Sequence, residues 1–343
     1  MIYYLGLIGV ISLFRLISLK YDSRKSLKNF YIFSVIFVIL FQGLRSFSVG
    51  TDLNAYIPAF SDIGENISFL NGKISYKSFE IGYIFLNKVL YMIGINERLF
   101  LCIIAAIVQI PIFITIYKNS DSPLLSILVY FAFGNFFMTF SGLRQSISMS
   151  LCFAAYEFIK RRKLIKFVLL ILFSALFHKS ALICLILYPV YHIKLSRKYM
   201  PLLFVAIIVI FLLRNQIFIF LSKLYYGEAK PISNTGAYTM FFMYLILLMI
   251  SFINKDPDKD YIGLRNILFM LVCIYALASV HDYVVRIGFP LTLYLSIFVP
   301  KILKNLKLDK SNSVILRMAP YVICIGCFCI FCGTLDTLPF SFL

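Results

Sequence analysis

The sequence predicts an all-α, polytopic integral membrane protein. Three observations carry that expectation. Of 343 residues, 61% are hydrophobic and 14% charged, and the mean hydropathy is +0.91, whereas a soluble domain is roughly half apolar and a quarter charged. Apolar runs of span length cover most of the chain, leaving little for a soluble domain. Basic residues fall in short clusters between those runs, such as Lys160-Arg161-Arg162-Lys163 and Lys301, Lys304, Lys307 and Lys310. A single integral membrane domain over residues 1–343 is expected.

The first run, 2–19, has no positive residue before it, while Arg15, Lys20, Arg24, Lys25 and Lys28 lie at or beyond its far end. That is the reverse of a cleaved signal peptide and predicts a retained span with its N-terminus outside. The runs that follow are 30–47, 99–117, 123–141, 144–160, 164–178, 180–194, 200–221, 237–253, 266–281, 284–300 and 313–333, so about 12 transmembrane helices are expected. A shorter run, 81–95, carries Asn87 and Lys88 near its middle. If the basic segments 20–29, 160–163, 194–199 and 301–310 are all cytoplasmic, the four runs between the first two already give an even number of crossings. The 81–95 run is then a juxtamembrane or re-entrant helix on the outer side, with Lys88 reaching the interface. This map puts 22 of the 33 Lys and Arg on the cytoplasmic side and both termini outside. The largest outer segment is 45–98, followed by 222–237. With no Trp in the chain, its 23 Tyr must supply any interfacial aromatic belt.

A net charge of +18 in a soluble chain would point to nucleic acid. Here the clusters have the pattern of cytoplasmic loops, and no nucleic-acid partner is expected. The eight cysteines all lie in apolar runs; Cys324, Cys327, Cys329 and Cys332 have the spacing of a metal cluster, but no His or carboxylate accompanies them. They are expected to pack as small hydrophobes rather than to form disulfides or hold a metal. The tripeptide Gly-Leu-Arg occurs at 43–45, 142–144 and 263–265, too short to make a repeat, and no inverted duplication of the transporter type is evident. The chain has no phosphate-cradling Gly-rich loop, zinc spacing or nucleophile elbow. His192 and Glu157 fall near cytoplasmic helix ends, and Asp256, Asp258 and Asp260 alternate with Lys in what reads as a solvated loop.

A charge inside a span costs about 2.5 to 3.5 kcal/mol on insertion scales, so charges against apolar runs need a reason. Arg45, Arg144, Arg286 and Lys179 all fall at outer helix ends, with His178, His281, Asp282, Asp52 and Glu80 on the same face. Taken singly, each reads equally well as an interfacial residue reaching water. As a group they gather cations, carboxylates and two imidazoles. Arg144-Gln145 opens a helix whose terminal amides favour an anion, and guanidinium forks match phosphate oxygens in two-point fashion. His178, in the short turn Leu176-Phe177-His178-Lys179-Ser180, has the side chain whose ordinary pKa suits a general base. In Arg45-Ser-Phe-Ser-Val-Gly-Thr-Asp, Gly50 permits a sharp turn, and Thr51 and Asp52 either cap the next helix or present a carboxylate to a substrate. Glu80 has the same two readings.

The succession Arg45…Gly50-Thr51-Asp52…Tyr56, Glu80-x-Gly82, Arg144-Gln145, the basic Lys160-Arg-Arg-Lys turn and Phe177-His178-Lys179-Ser180-Ala181-Leu182 resembles the EpsG-like group of bacterial polysaccharide polymerases, related to the Wzy polymerases of O-antigen and capsule. The likeness is strongest over residues 30–190 and rests mainly on Arg286 beyond. It implies a multi-span, GT-C-like glycosyltransferase architecture in the bacterial inner membrane, with an active site on the periplasmic face. Donor and acceptor would be polyprenyl-diphosphate-linked oligosaccharides, the lipid diphosphate would leave, and a chain-length regulator would be a further partner. No metal or nucleotide cofactor is implied, so cationic side chains must take up the leaving-group charge. On this reading Arg144, Arg286 and Arg45 hold the diphosphate, His178 or Asp52 accepts the proton of the attacking hydroxyl, and Glu80 and Gln145 contact sugar. Two rivals share the residues: a ligase within the same pathway, and a flippase or transporter of an anionic lipid-linked sugar. A flippase should place its charges near mid-bilayer, whereas these sit at outer helix ends.

Overall fold

The computed structural model describes residues 1–21, 23–67, 75–306 and 313–342. Lys307 and Lys310 of the last basic cluster lie outside the described residues, as does the side chain of Arg317. The chain is 77% helix, with no strand among the described residues; one isolated backbone bridge joins Arg45 to Phe342. Internal contacts divide it into two compact units, Met1–Leu182 with Leu308–Leu343, and Ile183–Lys307. In chain order the helices are α1 (Ile2–Leu19), α2 (Arg24–Gly43), α3 (Leu53–Asn66), α4 (Ile81–Met92), α5 (Glu97–Asn119), α6 (Pro123–Ala132), α7 (Asn135–Ser141), α8 (Leu143–Ala154), α9 (Tyr156–Lys160) and α10 (Leu164–Ala175). The second unit contains α11 (Leu187–His192), α12 (Met200–Leu212), α13 (Arg214–Tyr226), α14 (Tyr238–Ser251), α15 (Lys259–Ala278), α16 (Asp282–Thr292) and α17 (Leu295–Asn305). The last, α18 (Ser313–Phe331), returns to the first unit.

Polar caps mark where several apolar runs become helices. Ser23 Oγ accepts the Ser26 amide at 3.1 Å to start α2, Asn96 Oδ1 accepts that of Leu99 at 2.9 Å to start α5, and Asp258 accepts that of Tyr261 at 2.6 Å to start α15. Each meets an amide that the first helical turn leaves without a partner. The Asp258 cap places the start of α15 at Lys259, seven residues before the expected run.

Among the described residues four helices, α1, α2, α5 and α15, are long and apolar enough to cross a membrane, and the number rises to seven if each of three bent pairs is one span. The twelve expected crossings are therefore not reproduced by helix length. The 123–141 run is bent by 57° between α6 and α7, the 284–300 run by 57° between α16 and α17, and the 144–160 run breaks at Ala155. The short run at 81–95 forms α4, whose 12 residues reach about 18 Å, well under the roughly 30 Å of hydrocarbon. Ile84 of α4 packs with Ala59 and Ile63 of α3. Lys88 does more than reach an interface: its Nζ donates to the Gly64 carbonyl at 2.5 Å in the last turn of α3, where a cation suits the helix dipole.

In the first unit α2 packs on α5, α5 on α8, and α18 on α6. The helical ladder is interrupted after α6, where Gly134 has φ +79°, and again at Gly142 between α7 and α8, and an apolar surrounding requires the released groups, here the Thr139 carbonyl in the last turn of α7, to be met by protein. Gln42 Nε2 donates to the carbonyl and hydroxyl of Thr139 at 2.6 and 2.8 Å. Gln109 donates to Gln42 at 2.9 Å and accepts from Tyr130 at 2.9 Å. All four residues are buried, which explains one Gln in each of two otherwise apolar spans.

The turn leading to α3 is held by the chain's last residues. The amides of Ser46, Gly50 and Thr51 donate to the carbonyls of Ser341, Asp336 and Leu335 at 2.9, 3.0 and 3.0 Å. Tyr4, buried among Phe41, Phe137, Phe140 and Phe340, donates to the Thr337 carbonyl at 3.0 Å. In the second unit α15 is the central element, packing on α14, α16, α11 and α12. Asp260 belongs to that packing and not to a solvated loop: it pairs with Lys301 and accepts from Tyr191 at 2.6 Å.

Gly50 has φ +118°, and a Cβ there would stand 2.4 Å from the Phe140 carbonyl oxygen. Gly50→Ala should therefore lower the stability of the detergent-solubilised protein by about 1 to 3 kcal/mol, read as a fall in melting temperature. An unchanged melting temperature would show that the turn is not under this constraint.

Candidate active site

The 45–98 segment and three helix ends of the first unit bring together Tyr56, Phe79, Glu80, Arg144, His178 and Lys179. Gly142 closes α7 and α8 begins at Leu143, so Arg144 lies in the first turn of α8. Its guanidinium is 2.5 Å from the Glu80 carboxylate. Nη1 also donates to the Ser78 carbonyl at 3.0 Å, and Nε donates to the Tyr56 hydroxyl at 3.2 Å. The guanidinium plane covers the Phe79 ring at 4.3 Å, a cation–π contact that tightens as water is removed. The Arg144 and Glu80 side chains are 16% and 10% exposed, so most of the hydration of both charges has been exchanged for these contacts. Nη2 makes no hydrogen bond to a described residue and is the group through which Arg144 can still receive an oxyanion.

Glu80 occupies the N-cap position of α4 without capping it. Its second oxygen accepts the Lys179 amide at 3.3 Å, and the Lys179 side chain is exposed. This approach depends on Gly82, whose amide donates to the Leu176 carbonyl at 2.9 Å; a Cβ at Gly82 would fall 2.8 Å from that oxygen. The start of α4 thus docks on the end of α10, beside the turn that carries His178. Below that turn Ser174 donates to the Ser148 carbonyl at 2.7 Å, tying α10 to α8.

His178 is half-buried. Its Nδ1 lies 3.3 Å from the Ser180 amide, which donates to it, and 2.7 Å from the Ser180 hydroxyl. With Nδ1 accepting, a neutral imidazole carries its proton on Nε2. That tautomer makes Nε2 a donor and withdraws the lone pair a general base needs.

Asp52 stands at the N-cap of α3 with no side-chain cap bond, and its carbonyl accepts the Tyr56 amide at 3.1 Å. The i and i+4 spacing sets Asp52 and Tyr56 on one face of α3, and Tyr56 is the residue bonded to Arg144. Burial pushes the Tyr56 phenol above its ordinary pKa, opposed in part by Arg144, which keeps the hydroxyl neutral.

The other expected residues have different surroundings. Arg45 is 1% exposed and donates to three backbone carbonyls: Gln42, Val49 at 3.1 Å and Phe140 at 2.9 Å. Its guanidinium also stands 4.9 Å from the Phe140 ring, so in this structure it ties the ends of α2 and α7 to the turn before α3. Arg45 and Arg144 share no partner among the described residues. Gln145 is 3% exposed and faces the interior. Arg286 belongs to the second unit, where it is exposed on α16. His281 caps that helix by accepting the Tyr283 amide at 3.2 Å and stacks on Phe218 at 5.2 Å. Phe79 and Ser78 were not singled out from the sequence; Phe79 is an aromatic directly before a carboxylate in an outer segment, and that adjacency was the available clue.

A family model described as the EpsG family matches residues 28–342, nearly the whole chain. No curated protein and no solved structure matches.

A double-mutant cycle over Arg144→Ala and Glu80→Ala should give a coupling free energy of about 1 to 3 kcal/mol in unfolding measurements. Additive effects would mean that the pair does not hold the 45–98 segment to α8.

Proposed function

The chain belongs to the EpsG family, a family of Wzy-like polysaccharide polymerases, and we propose that it joins polyprenyl-diphosphate-linked oligosaccharide units at the outer face of the inner membrane. The observation that carries the reading is the geometry of Arg144: a first-turn arginine, held by Glu80, Tyr56 and Ser78, that keeps Nη2 for a ligand. The proposal includes the twelve-crossing topology and multi-span glycosyltransferase architecture, which agree with the basic clusters and with a polytopic helical chain.

In the proposed reaction a sugar hydroxyl of the incoming unit attacks the anomeric carbon of the donor glycan. The new carbon–oxygen bond forms as the bond to the diphosphate breaks, and both electrons of that bond leave with the diphosphate oxygen. Arg144 Nη2 and the Lys179 ammonium face this developing charge, with the amides at the start of α8 adding a favourable dipole. The hydroxyl proton passes to a carboxylate, and Asp52 is assigned that role. His178, a donor through Nε2, holds a sugar or phosphate oxygen. Glu80 keeps Arg144 in place and is a positioning residue. Arg286, on α16 of the second unit, is given no step in this reaction. No step draws on a metal.

The reading is tested by gel analysis of surface glycan from a deletion strain complemented with variants whose membrane abundance is matched. Arg144→Ala and Asp52→Asn should leave only single-repeat glycan, and His178→Ala should shorten the ladder without abolishing it. Full-length polymer from Arg144→Ala would reject the clamp. Loss of all surface glycan in the deletion strain, single repeats included, would instead favour a flippase or ligase. A ladder from Asp52→Asn but none from His178→Ala would return the base to the imidazole.

A further inference from the structure

The second unit contains a cleft of about 490 Å3 with no part in the proposed glycosyl transfer. It lies between the segment after α11 and the loop joining α14 to α15, and Arg197, Asn254, Lys255, Asp256, Asp258 and Arg265 line it. Arg265 is the least expected of these. It sits within α15, is 2% exposed, and donates through Nη2 to the Leu195 carbonyl at 2.6 Å. Its guanidinium lies 4.3 Å from the Phe252 ring. Its Nε–H is buried with no hydrogen-bond partner. An unmet buried donor on a charged group costs about 1 to 3 kcal/mol or more, and folded proteins keep few of them.

The lining sets three cations, Arg197, Lys255 and Arg265, against two carboxylates, Asp256 and Asp258. Asp258 already serves two partners, accepting the Tyr261 amide and lying 3.4 Å from Lys301 Nζ. Asp256 is exposed at the rim. Against that single uncommitted carboxylate stand three cations, Arg197, Lys255 and Arg265. Arg197 and Lys255 are exposed, so they can swing to a ligand, whereas Arg265 is fixed at the base by Leu195 and Phe252. One rigid guanidinium lining a concave cleft, under two mobile cations, is an arrangement that receives a phosphoryl oxygen.

We propose that this cleft is a phosphate-binding site that takes a phosphomonoester or phosphodiester group, from inorganic phosphate or from an anionic lipid headgroup. Arg265 and the Asn254 amide side chain orient the group, and Arg197 and Lys255 supply affinity. The site is independent of the polymerase reading, since none of its residues is used in that reaction. The Leu195 segment and the 254–258 loop are both held to α15, so an occupied cleft also braces the start of that helix.

The test uses the full chain in nanodiscs of neutral phosphatidylcholine. Phosphorus NMR of added inorganic phosphate should show line broadening, and Arg197→Gln with Lys255→Gln should weaken the apparent affinity about tenfold or more. Both positions are exposed, so the double variant is expected to melt as the parent does; a matched melting curve ties the loss to the site. In a second arm the nanodiscs contain phosphatidylglycerol, and lipid bound to the protein is measured after detergent exchange. Retention by the parent and loss in the double variant, with no broadening of free phosphate, assigns the group to a lipid headgroup. Broadening alone assigns it to a soluble phosphate. If neither arm distinguishes parent from variant, the proposal is overturned, and the polymerase assay is unaffected by that outcome.

Discussion

The ion pair between Arg144 and Glu80 is the interaction on which the candidate site depends. It joins the first turn of α8 to the start of α4, and through Tyr56 and Lys179 it reaches α3 and the turn after α10. Two charges this far removed from water pay a desolvation cost that attraction alone seldom repays. The added hydrogen bonds to Ser78 and Tyr56 and the Phe79 ring beneath the guanidinium are what make the arrangement tenable. A guanidinium fixed in this way loses little further freedom on binding an oxyanion, which is the condition for electrostatic stabilisation of a departing group.

Behind that pair stands a second constraint, imposed by lipid. A broken helix leaves backbone groups that must be met by the protein, and this chain breaks helices near the site. Gln42, itself held by Gln109 and through it by Tyr130, takes the Thr139 carbonyl near the end of α7, and Arg45 takes the carbonyls where α2 and α7 end. Arg45 and Arg144 each follow Gly-Leu in the sequence, yet one braces the backbone and the other pairs with the Glu80 carboxylate. The difference lies in their neighbours: Arg45 emerges at a helix end among carbonyls without amide partners, and Arg144 enters at a helix start beside the Glu80 carboxylate.

Much of this was legible in the residues. Composition and basic clustering gave the all-helical membrane class, the mid-run Asn87 and Lys88 set the short α4 apart from the longer apolar runs, and the placement of charges at run ends pointed to Arg144, Glu80 and His178. Hydropathy smooths over kinks, so it joined α6 to α7 and α8 to α9 and did not show the breaks between them. It also could not foresee that residues 335–341 would supply carbonyls to the turn before α3, because that pairing links segments nearly 300 positions apart. The tautomer of His178 was equally hidden: it depends on Ser180 two residues on, and only the geometry of that turn assigns it. Asp258 and Asp260 looked like loop acids because their partners, a helix amide, Lys301 and Tyr191, are defined only by the fold.

The central claim is that Arg144 recognises the diphosphate. Its most direct measurement is the binding of polyprenyl diphosphate and polyprenyl monophosphate to the purified protein and to Arg144→Gln. The account predicts that the parent prefers the diphosphate and that the variant, still folded by its melting curve, loses affinity for it about tenfold or more while its affinity for the monophosphate changes less. Equal diphosphate affinity in parent and variant would contradict it.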